Sequence, residues 1–287
     1  MQNLTGTGVA LVTPFNADLS VDFEGLGKVI DYTVAGGVDY LVVNGTTGES
    51  ATLTLSEKRK ILQFVKDQVA GRLPLVFGIG CNSTQEMLDA CSQADLEGVA
   101  AVLSVSPYYN KPSQEGIYQH YLALANVSPV PVILYNVPGR TSSNVSADTT
   151  LRLARHPNII GTKEASGNME QCLQIARKKP KDFLLISGDD LLTLPMMAFG
   201  CEGVISVVAN AFPDTFSQMV RLGREGNYPE AAEILYTFLD LNPLLYEESN
   251  PVGIKTVLDL KGICQDHVRL PLVPASDSLR ERIAKQL

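Results

Sequence analysis

The sequence predicts a (β/α)8 barrel with a C-terminal helical extension. Eight short apolar runs recur along the first 225 residues, segments with helical spacing separate them, and the remainder is helical in pattern. Apolar runs that are continuous, rather than alternating with polar residues, are typical of parallel strands covered on both faces. Eight strand–helix units are the number that closes this kind of barrel.

The eight predicted strands are short and rich in valine and isoleucine. They are residues 9–12, 40–43, 75–77, 100–103, 131–134, 159–160, 183–186 and 204–208. Residues 121–139 carry no charge, but the three prolines in this stretch argue against a membrane-spanning helix. We therefore predict the end of a helix followed by a buried strand there, and no membrane segment.

The segments between the runs place apolar side chains on one face of a helix. Leu26, Val29 and Ile30 do so in the first of these segments, and Ile61 and Val65 in the second. Three serines are predicted to cap helices at their N-termini: Ser20, Ser56 and Ser146.

Residues 1–225 are predicted to form the catalytic barrel, and residues 226–287 the extension. Leu235, Phe238, Leu241 and Leu245 lie at helical spacing, and the helical pattern continues to Leu287. No linker rich in serine, glycine or proline separates the two parts. We therefore expect the extension to pack on the barrel rather than to fold as an independent domain.

An open, doubly wound sheet is the main alternative fold. Such a sheet would usually carry a glycine-rich dinucleotide fingerprint after an early strand. Here Gly78-Ile79-Gly80 lacks the third glycine, and the phosphate-binding pattern G-x-x-x-x-G-K-[ST] does not occur. Both observations favour the closed barrel.

Composition and charge exclude several classes of partner and site. The formal net charge is -8, and no run of lysine or arginine could follow a phosphate backbone, so a nucleic-acid partner is not expected. The five cysteines are scattered and form no C-x-x-C pair, which predicts reduced thiols in a cytoplasmic protein. The three histidines are far apart in the sequence, so no metal site is expected.

The residues that follow the predicted strands indicate the chemistry, because barrel enzymes build their sites at the C-terminal ends of the strands. Five such segments contain hydroxyls, phenols, one lysine and one arginine, without a cluster of histidine or cysteine: residues 45–50, 106–110, 135–140, 162–164 and 187–190. Metal-dependent hydrolysis and catalysis by a cysteine or serine paired with histidine therefore lack their usual residues.

Lys163 is the candidate nucleophile at these strand ends. Burial disfavours an ammonium ion, and a free amine can attack a ketone. The alternative is a strand-end lysine that pairs with Glu164. Tyr135 could likewise be an acid–base group or a packed core residue. Arg140 could bind a carboxylate at the barrel mouth or remain solvated.

Three motifs together resemble the dihydrodipicolinate synthase and N-acetylneuraminate lyase superfamily of class I aldolases. They are Gly-Thr-Thr-Gly-Glu-Ser at 45–50, Tyr-Asn-Val-Pro-Gly-Arg at 135–140 and Gly-Thr-Lys-Glu-Ala at 161–165. The resemblance spans essentially the whole chain. Residues 107–116 and Arg140 are most similar to the dihydrodipicolinate synthase branch, since sialic-acid lyases carry the Tyr-Asn-x-Pro element but generally lack that arginine.

The resemblance implies that Lys163 forms a Schiff base with pyruvate, which becomes an enamine. Tyr135 would move protons, and Thr46 would link Tyr135 to Tyr109 of a neighbouring subunit. The chemistry would use the protein's own amine, without a cofactor or metal. Donation of Tyr109 across an interface predicts an oligomer, which the resemblance implies is a homotetramer built from tight dimers.

The resemblance also assigns the substrates. Thr47 would hold the pyruvate carboxylate, Gly188 and Ile205 would shape the pyruvate pocket, and Arg140 would bind L-aspartate 4-semialdehyde. The expected product is 4-hydroxy-tetrahydrodipicolinate, on the route to diaminopimelate and lysine. The alternatives are another pyruvate-dependent class I aldolase, acting on a sialic acid or a keto-sugar acid, and a barrel that binds without catalysis.

Lysine-inhibited members of the superfamily bind lysine at the tight-dimer interface. The counterparts of that allosteric site are Ser50, Ala51, Asn82, Glu86 and Tyr108. Leu55 and Lys58 stand at two positions where sensitive bacterial members often have histidine. A cationic Lys58 would oppose the ammonium of an incoming lysine, so weak or absent inhibition is expected. The role of Cys81, at the end of the third strand, stays open.

Overall fold

Eight parallel strands close into one barrel within residues 4–287, the part of the chain that the computed structural model describes. The strands are β1 Gly6–Ala10, β2 Tyr40–Val43, β3 Leu75–Gly78, β4 Ala101–Val105, β5 Val132–Asn136, β6 Ile159–Glu164, β7 Leu184–Ser187 and β8 Gly203–Ser206. Each strand pairs with the next, and β8 pairs with β1. The predicted fold class is confirmed.

Helices surround the barrel and follow it. Those between strands are α1 Phe23–Ala35, α2 Leu55–Val69, α3 Thr84–Gln93, α4 Gln114–Val127, α5 Pro138–Thr141, α6 Ala147–Leu153, α7 Met169–Lys178 and α8 Thr193–Met197. After β8 come α9 Pro213–Arg224, α10 Tyr228–Tyr236, α11 Leu241–Glu247, α12 Val252–Leu260 and α13 Asp277–Ala284. Two short 3-10 turns cover Ser50–Thr52 and Val208–Asn210.

Of the three predicted helix caps, one is confirmed and two are wrong. Ser146 accepts the backbone N–H of Thr149, as predicted. The cap of α1 is Asp22 rather than Ser20, because the Ser20 hydroxyl donates to Asp18 within the preceding turn. The cap of α2 is Thr54, which forms a capping box with Glu57, so Ser56 lies inside the first helical turn.

Alternate strand residues face either the barrel axis or the surrounding helices. Tyr40 and Val42 of β2 pack in the inner cluster, whereas Leu41 and Val43 pack in the cluster between strands and helices. The inner cluster also contains Tyr135 of β5. This alternation fixes which side chains at the strand ends can enter the barrel mouth.

The C-terminal extension packs on the barrel and also reaches its mouth. Helix α10 packs against α9 and α8, and α11 and α13 pack against α12. The sequence pattern predicted helix through Leu287, which is wrong for residues 262–276, where Pro271 and Pro274 fall within an irregular segment. Among residues 4–287, no helix combines the length and apolarity needed to cross a membrane.

Candidate active site

Lys163 and Tyr135 lie side by side at the barrel mouth. They are direct partners in the pairing of β5 with β6, and the Lys163 Nζ lies 4.5 Å from the centre of the Tyr135 ring. Only 5% of Lys163 and 7% of Tyr135 is exposed. The structure thus places a buried amine against the ring of a tyrosine, two groups that can serve as a nucleophile and an acid–base residue.

Glu164, the alternative partner of Lys163, faces the other side of β6. Its carboxylate accepts hydrogen bonds from Asn136 Nδ2, Gln171 Nε2 and the backbone N–H of Ser166. No salt bridge to Lys163 occurs within residues 4–287. The interpretation of Lys163 as half of a Lys163–Glu164 ion pair is therefore wrong.

Gly188 leaves the space that the Lys163 side chain occupies. A Cβ atom at Gly188 would lie 3.0 Å from Lys163 Cε and 2.6 Å from Ala165 Cβ. Ile205 of β8 is buried in the inner cluster of the barrel. Gly188 therefore lies beside Lys163, and Ile205 lies in the interior of the barrel.

The loop after β2 contains two hydroxyl side chains, Thr46 and Thr47. Thr46 and Tyr135 line a common cavity of about 100 Å³. Thr47 is buried, and its Oγ1 accepts a hydrogen bond of 3.0 Å from Asn250 Nδ2. Asn250 lies in the extension, and the sequence analysis did not identify it.

A buried ion pair fixes the end of this loop. Lys255 Nζ of α12 lies 2.6 Å from Glu49 Oε1, and neither side chain is more than 2% exposed. Lys255 also donates to the carbonyl oxygen of His267, and the backbone N–H of Arg269 donates to the other Glu49 oxygen. Burial lowers the pKa of Lys255, and the Glu49 carboxylate opposes that shift. The extension therefore holds the loop that presents Thr46 and Thr47.

A larger cavity of about 730 Å³ opens above this loop. Thr46, Arg140, Tyr108 and Asn250 are among the residues that line it. Arg140 is exposed, so its guanidinium is available to an anion that enters from solvent.

Tyr109 does not approach Tyr135 within the single chain. Its side chain is 86% exposed, and its backbone has a positive φ of 73°. A non-glycine residue in this conformation is uncommon.

Tyr246 of α11 is a second residue of the extension that the sequence analysis missed. Although 37% of the residue is exposed, desolvation of its hydroxyl raises its pKa above the usual value, and the carboxylates of Asp190 and Asp189 add to the shift. Tyr135 and Arg140 also act electrostatically on the same hydroxyl. Tyr246 therefore belongs to the electrostatic environment of the mouth.

Most of the candidate allosteric set lines the large cavity. Ser50, Ala51, Glu86 and Tyr108 do so, together with Leu55 and Lys58, whereas Asn82 is outside the lining. Burial lowers the pKa of Lys58.

Cys81 belongs to the same surroundings. Its thiol lines both cavities and donates to Glu86 Oε2 at 3.1 Å. Burial raises the pKa of this thiol, and Glu86 also contributes to the increase. Cys81 is therefore held as a neutral donor in the cavity wall.

The sequence model of the dihydrodipicolinate synthetase family matches residues 3–287. The chain belongs to this family. A relative from Cytophaga hutchinsonii, named 4-hydroxy-tetrahydrodipicolinate synthase, is 51% identical over 99% of the chain and 95% of its own length.

Two solved structures of family members have the same fold. The chloride-inhibited dihydrodipicolinate synthase of Acinetobacter baumannii, complexed with pyruvate, matches with a TM-score of 0.96 and 36% identity. The match covers 99% of this chain and 98% of that one. The enzyme of Cyanidioschyzon merolae with lysine bound matches with a TM-score of 0.94 and 40% identity, over 98% of this chain and 96% of that one.

Within residues 4–287, no group of three or more histidine, cysteine, aspartate and glutamate side chains is arranged to hold a metal ion. The five cysteines in this part of the chain are unpaired.

Proposed function

We propose that the chain is a 4-hydroxy-tetrahydrodipicolinate synthase, a lyase that condenses pyruvate with L-aspartate 4-semialdehyde. The observation that supports this most directly is the buried Lys163 amine, 4.5 Å from the centre of the Tyr135 ring. The family relatives carry the same activity in their names, and one family structure is a complex with pyruvate.

The first half of the reaction forms an enamine on Lys163. The free amine attacks the ketone carbon of pyruvate, and loss of one water gives an imine. Tyr135 passes protons to the departing oxygen, because its ring lies beside the amine. Loss of a proton from the pyruvate methyl group then gives the nucleophilic enamine. All of this uses the chain's own amine, so neither an added cofactor nor a metal takes part.

The second half joins the two substrates. The enamine carbon attacks the aldehyde carbon of L-aspartate 4-semialdehyde, and the new oxygen takes a proton. The amino group of the semialdehyde next attacks the imine carbon and displaces Lys163, which regenerates the free amine and closes the ring. Pyruvate and the semialdehyde thereby give 4-hydroxy-tetrahydrodipicolinate and one water.

Other residues at the mouth have binding roles in this proposal. Thr47 holds the pyruvate carboxylate, while Gly188 and Ile205 shape the pyruvate pocket. Arg140, exposed in the wall of the large cavity, binds the carboxylate of the semialdehyde. A charged fork suits a short acidic aldehyde better than a polyol chain, which disfavours an N-acetylneuraminate lyase or a keto-sugar-acid aldolase.

The decisive experiment supplies the purified protein with both substrates. A reductase that consumes the product with NADPH reports the rate as loss of absorbance, and omission of either substrate is the control. Turnover that needs both substrates supports the synthase. Turnover with a sialic acid or keto-sugar acid, but none with the semialdehyde, would move the assignment to the sugar-acid aldolases.

Tyr109 is proposed to complete the site of a neighbouring subunit in a homotetramer of tight dimers. Its 86% exposure in the single chain supports this role. Lys163→Ala and Tyr109→Ala are each expected to be nearly inactive. Refolded together, they should regain about a quarter of the wild-type activity, because each mixed dimer has one intact site. If the mixture stays as inactive as its components, Tyr109 is not shared in this way.

Weak or absent inhibition by lysine is expected, although one family member binds lysine. Lys58 places a cation in the cavity that contains Glu86 and Tyr108. Lysine at about 1 mM should leave the rate within about twofold of its value without lysine, because like charges repel in a half-buried site. Replacing Leu55 and Lys58 with histidine is expected to raise the sensitivity. Strong inhibition of the wild type below 1 mM would contradict this expectation.

We place the protein in the cytoplasm. The unpaired state of Cys81, Cys91, Cys172, Cys201 and Cys264 supports a reducing compartment. A biosynthetic pathway that makes an amino-acid precursor is consistent with that location.

A further inference from the structure

A network of buried polar groups lies directly behind Lys163 and Tyr135. Asn136 follows Tyr135 on β5, Glu164 follows Lys163 on β6, and the two are register partners like the residues before them. Because side chains alternate along a strand, Asn136 and Glu164 project away from the barrel axis. The exposed fraction of each is at most 1%.

The Asn136 amide joins the two strands on this outer face. Its Nδ2 donates to Glu164 Oε1 at 3.0 Å and to Oε2 at 3.1 Å. Gln171 Nε2 of α7 donates to Oε2 at 3.0 Å, and the backbone N–H of Ser166 donates to Oε1 at 3.0 Å. The two amides and the backbone N–H all donate a hydrogen to Glu164, and the Ser166 side chain also favours the ionised form, so the arrangement fits a carboxylate.

The orientation of both amides is fixed by further bonds. Asn136 Oδ1 accepts the backbone N–H of Val145 at 2.9 Å, and Gln171 Oε1 accepts from Asn144 Nδ2 at 2.8 Å. Neither amide can rotate to present its oxygen to Glu164 without losing these bonds. The hydrogen bonds from Asn136 on β5 to Glu164 on β6 are therefore held in a single geometry.

Burying this polar network costs free energy of folding, so a contribution to stability alone does not account for it. Glu164 has no cationic partner within residues 4–287, and burial raises its pKa although the hydrogen bonds oppose the shift. Packed apolar side chains between strand and helix would avoid the cost of removing a carboxylate from water.

We propose that Asn136 and Glu164 are positioning residues, which set the separation of Tyr135 and Lys163 by locking the ends of β5 and β6 to each other. A rotation of either strand end would move the phenol relative to the amine. Misplacement of reacting groups by about 1 Å costs up to about 100-fold in rate. This inference rests on the proposed function, because it assumes that Lys163 and Tyr135 act together.

The test compares two amides that share the network but differ in position. Asn136→Leu removes the bond between strands, whereas Gln171→Met removes the bond from α7, and each also loses a contact with the 144–145 segment. Both variants are expected to lower the melting temperature. The measured quantity is kcat per active chain. A chain counts as active if it carries a pyruvate adduct on Lys163 after prolonged borohydride reduction, and mass spectrometry gives the fraction of such chains.

Asn136→Leu is expected to lower kcat per active chain by about 10-fold to 100-fold, while Gln171→Met stays within about threefold of the wild type. Equal values for the two variants, whether both lowered or both unchanged, would overturn the positioning role. If the wild type forms no adduct at all, the proposed function fails instead, so the two failures are distinguishable.

A reciprocal exchange covers the case in which Asn136→Leu does not fold. Asn136→Asp alone places two carboxylates against each other, and its kcat per active chain is expected to fall by about 10-fold or more. Adding Glu164→Gln restores one amide, one carboxylate and the bond between the strands. The double variant should recover at least about tenfold over Asn136→Asp. No recovery would also overturn the inference.

Discussion

Replacing Lys163 with alanine is expected to lower kcat/KM for the condensation by about 1000-fold or more. The amine nitrogen of Lys163 is the atom that forms the bond to pyruvate, so its loss removes the covalent step. Borohydride reduction with pyruvate should add the mass of the reduced adduct to the wild-type chain and leave the variant unchanged. The coupled assay with NADPH measures the rate.

Two comparisons separate loss of the nucleophile from loss of the fold. Lys285→Ala, at an exposed position of the extension, should keep the wild-type rate. Adding Tyr135→Phe to Lys163→Ala should cause little further loss, since residues that act on one step are not additive. A folded Lys163→Ala protein that keeps more than about a tenth of the activity would rule out the Schiff base mechanism.

Replacing Lys255 with methionine is expected to lower the free energy of unfolding by about 3–5 kcal/mol, because it leaves the Glu49 carboxylate buried without its cation. Lys255 and Glu49 are 0% and 2% exposed, so water cannot replace the lost partner without a rearrangement. Urea unfolding at one fixed protein concentration measures the loss. Since Glu49 ends the loop of Thr46 and Thr47, kcat/KM should fall as well.

The control for this prediction removes the charge of the partner too. Lys255→Met combined with Glu49→Gln keeps an oxygen that can accept the backbone N–H of Arg269 but leaves no unpaired charge. The double variant should recover most of the stability lost in Lys255→Met. Lys285→Met should change the stability by less than about 0.5 kcal/mol. If Lys255→Met alone costs no more than that, the ion pair does not stabilise the loop.

The barrel could be predicted because its strands are covered on both faces, so that each one reads as an apolar run. The apolar pattern is shortest at β6, where the run covers only residues 159–160 of a strand that continues to Glu164. Its last residues are polar because they face the site on one side and the Asn136–Glu164 network on the other. A criterion based on apolar runs cannot recognise a strand end built for chemistry.

The site could be predicted where its residues share a motif with the family, as Tyr135, Lys163 and Arg140 do. The side chains that contact those motifs could not be predicted, because they come from the extension and no local sequence pattern marks their contacts. Lys255 was the one available hint, since a lysine within the apolar segment of α12 needs a buried partner. Which carboxylate it pairs with depends on the tertiary structure alone.

The ties between the extension and the loop after β2 also set the order in which a new chain can become active. Thr47 and Glu49 meet Asn250 and Lys255, which follow them by 203 and 206 positions. A ribosome needs about 10–40 s to add that many residues at 5–20 per second. During this interval the first strands can pair, but Glu49 has no cation and Thr47 no amide donor. The pocket is therefore completed only near the end of synthesis, and a chain released early would have strands of a barrel without a finished mouth.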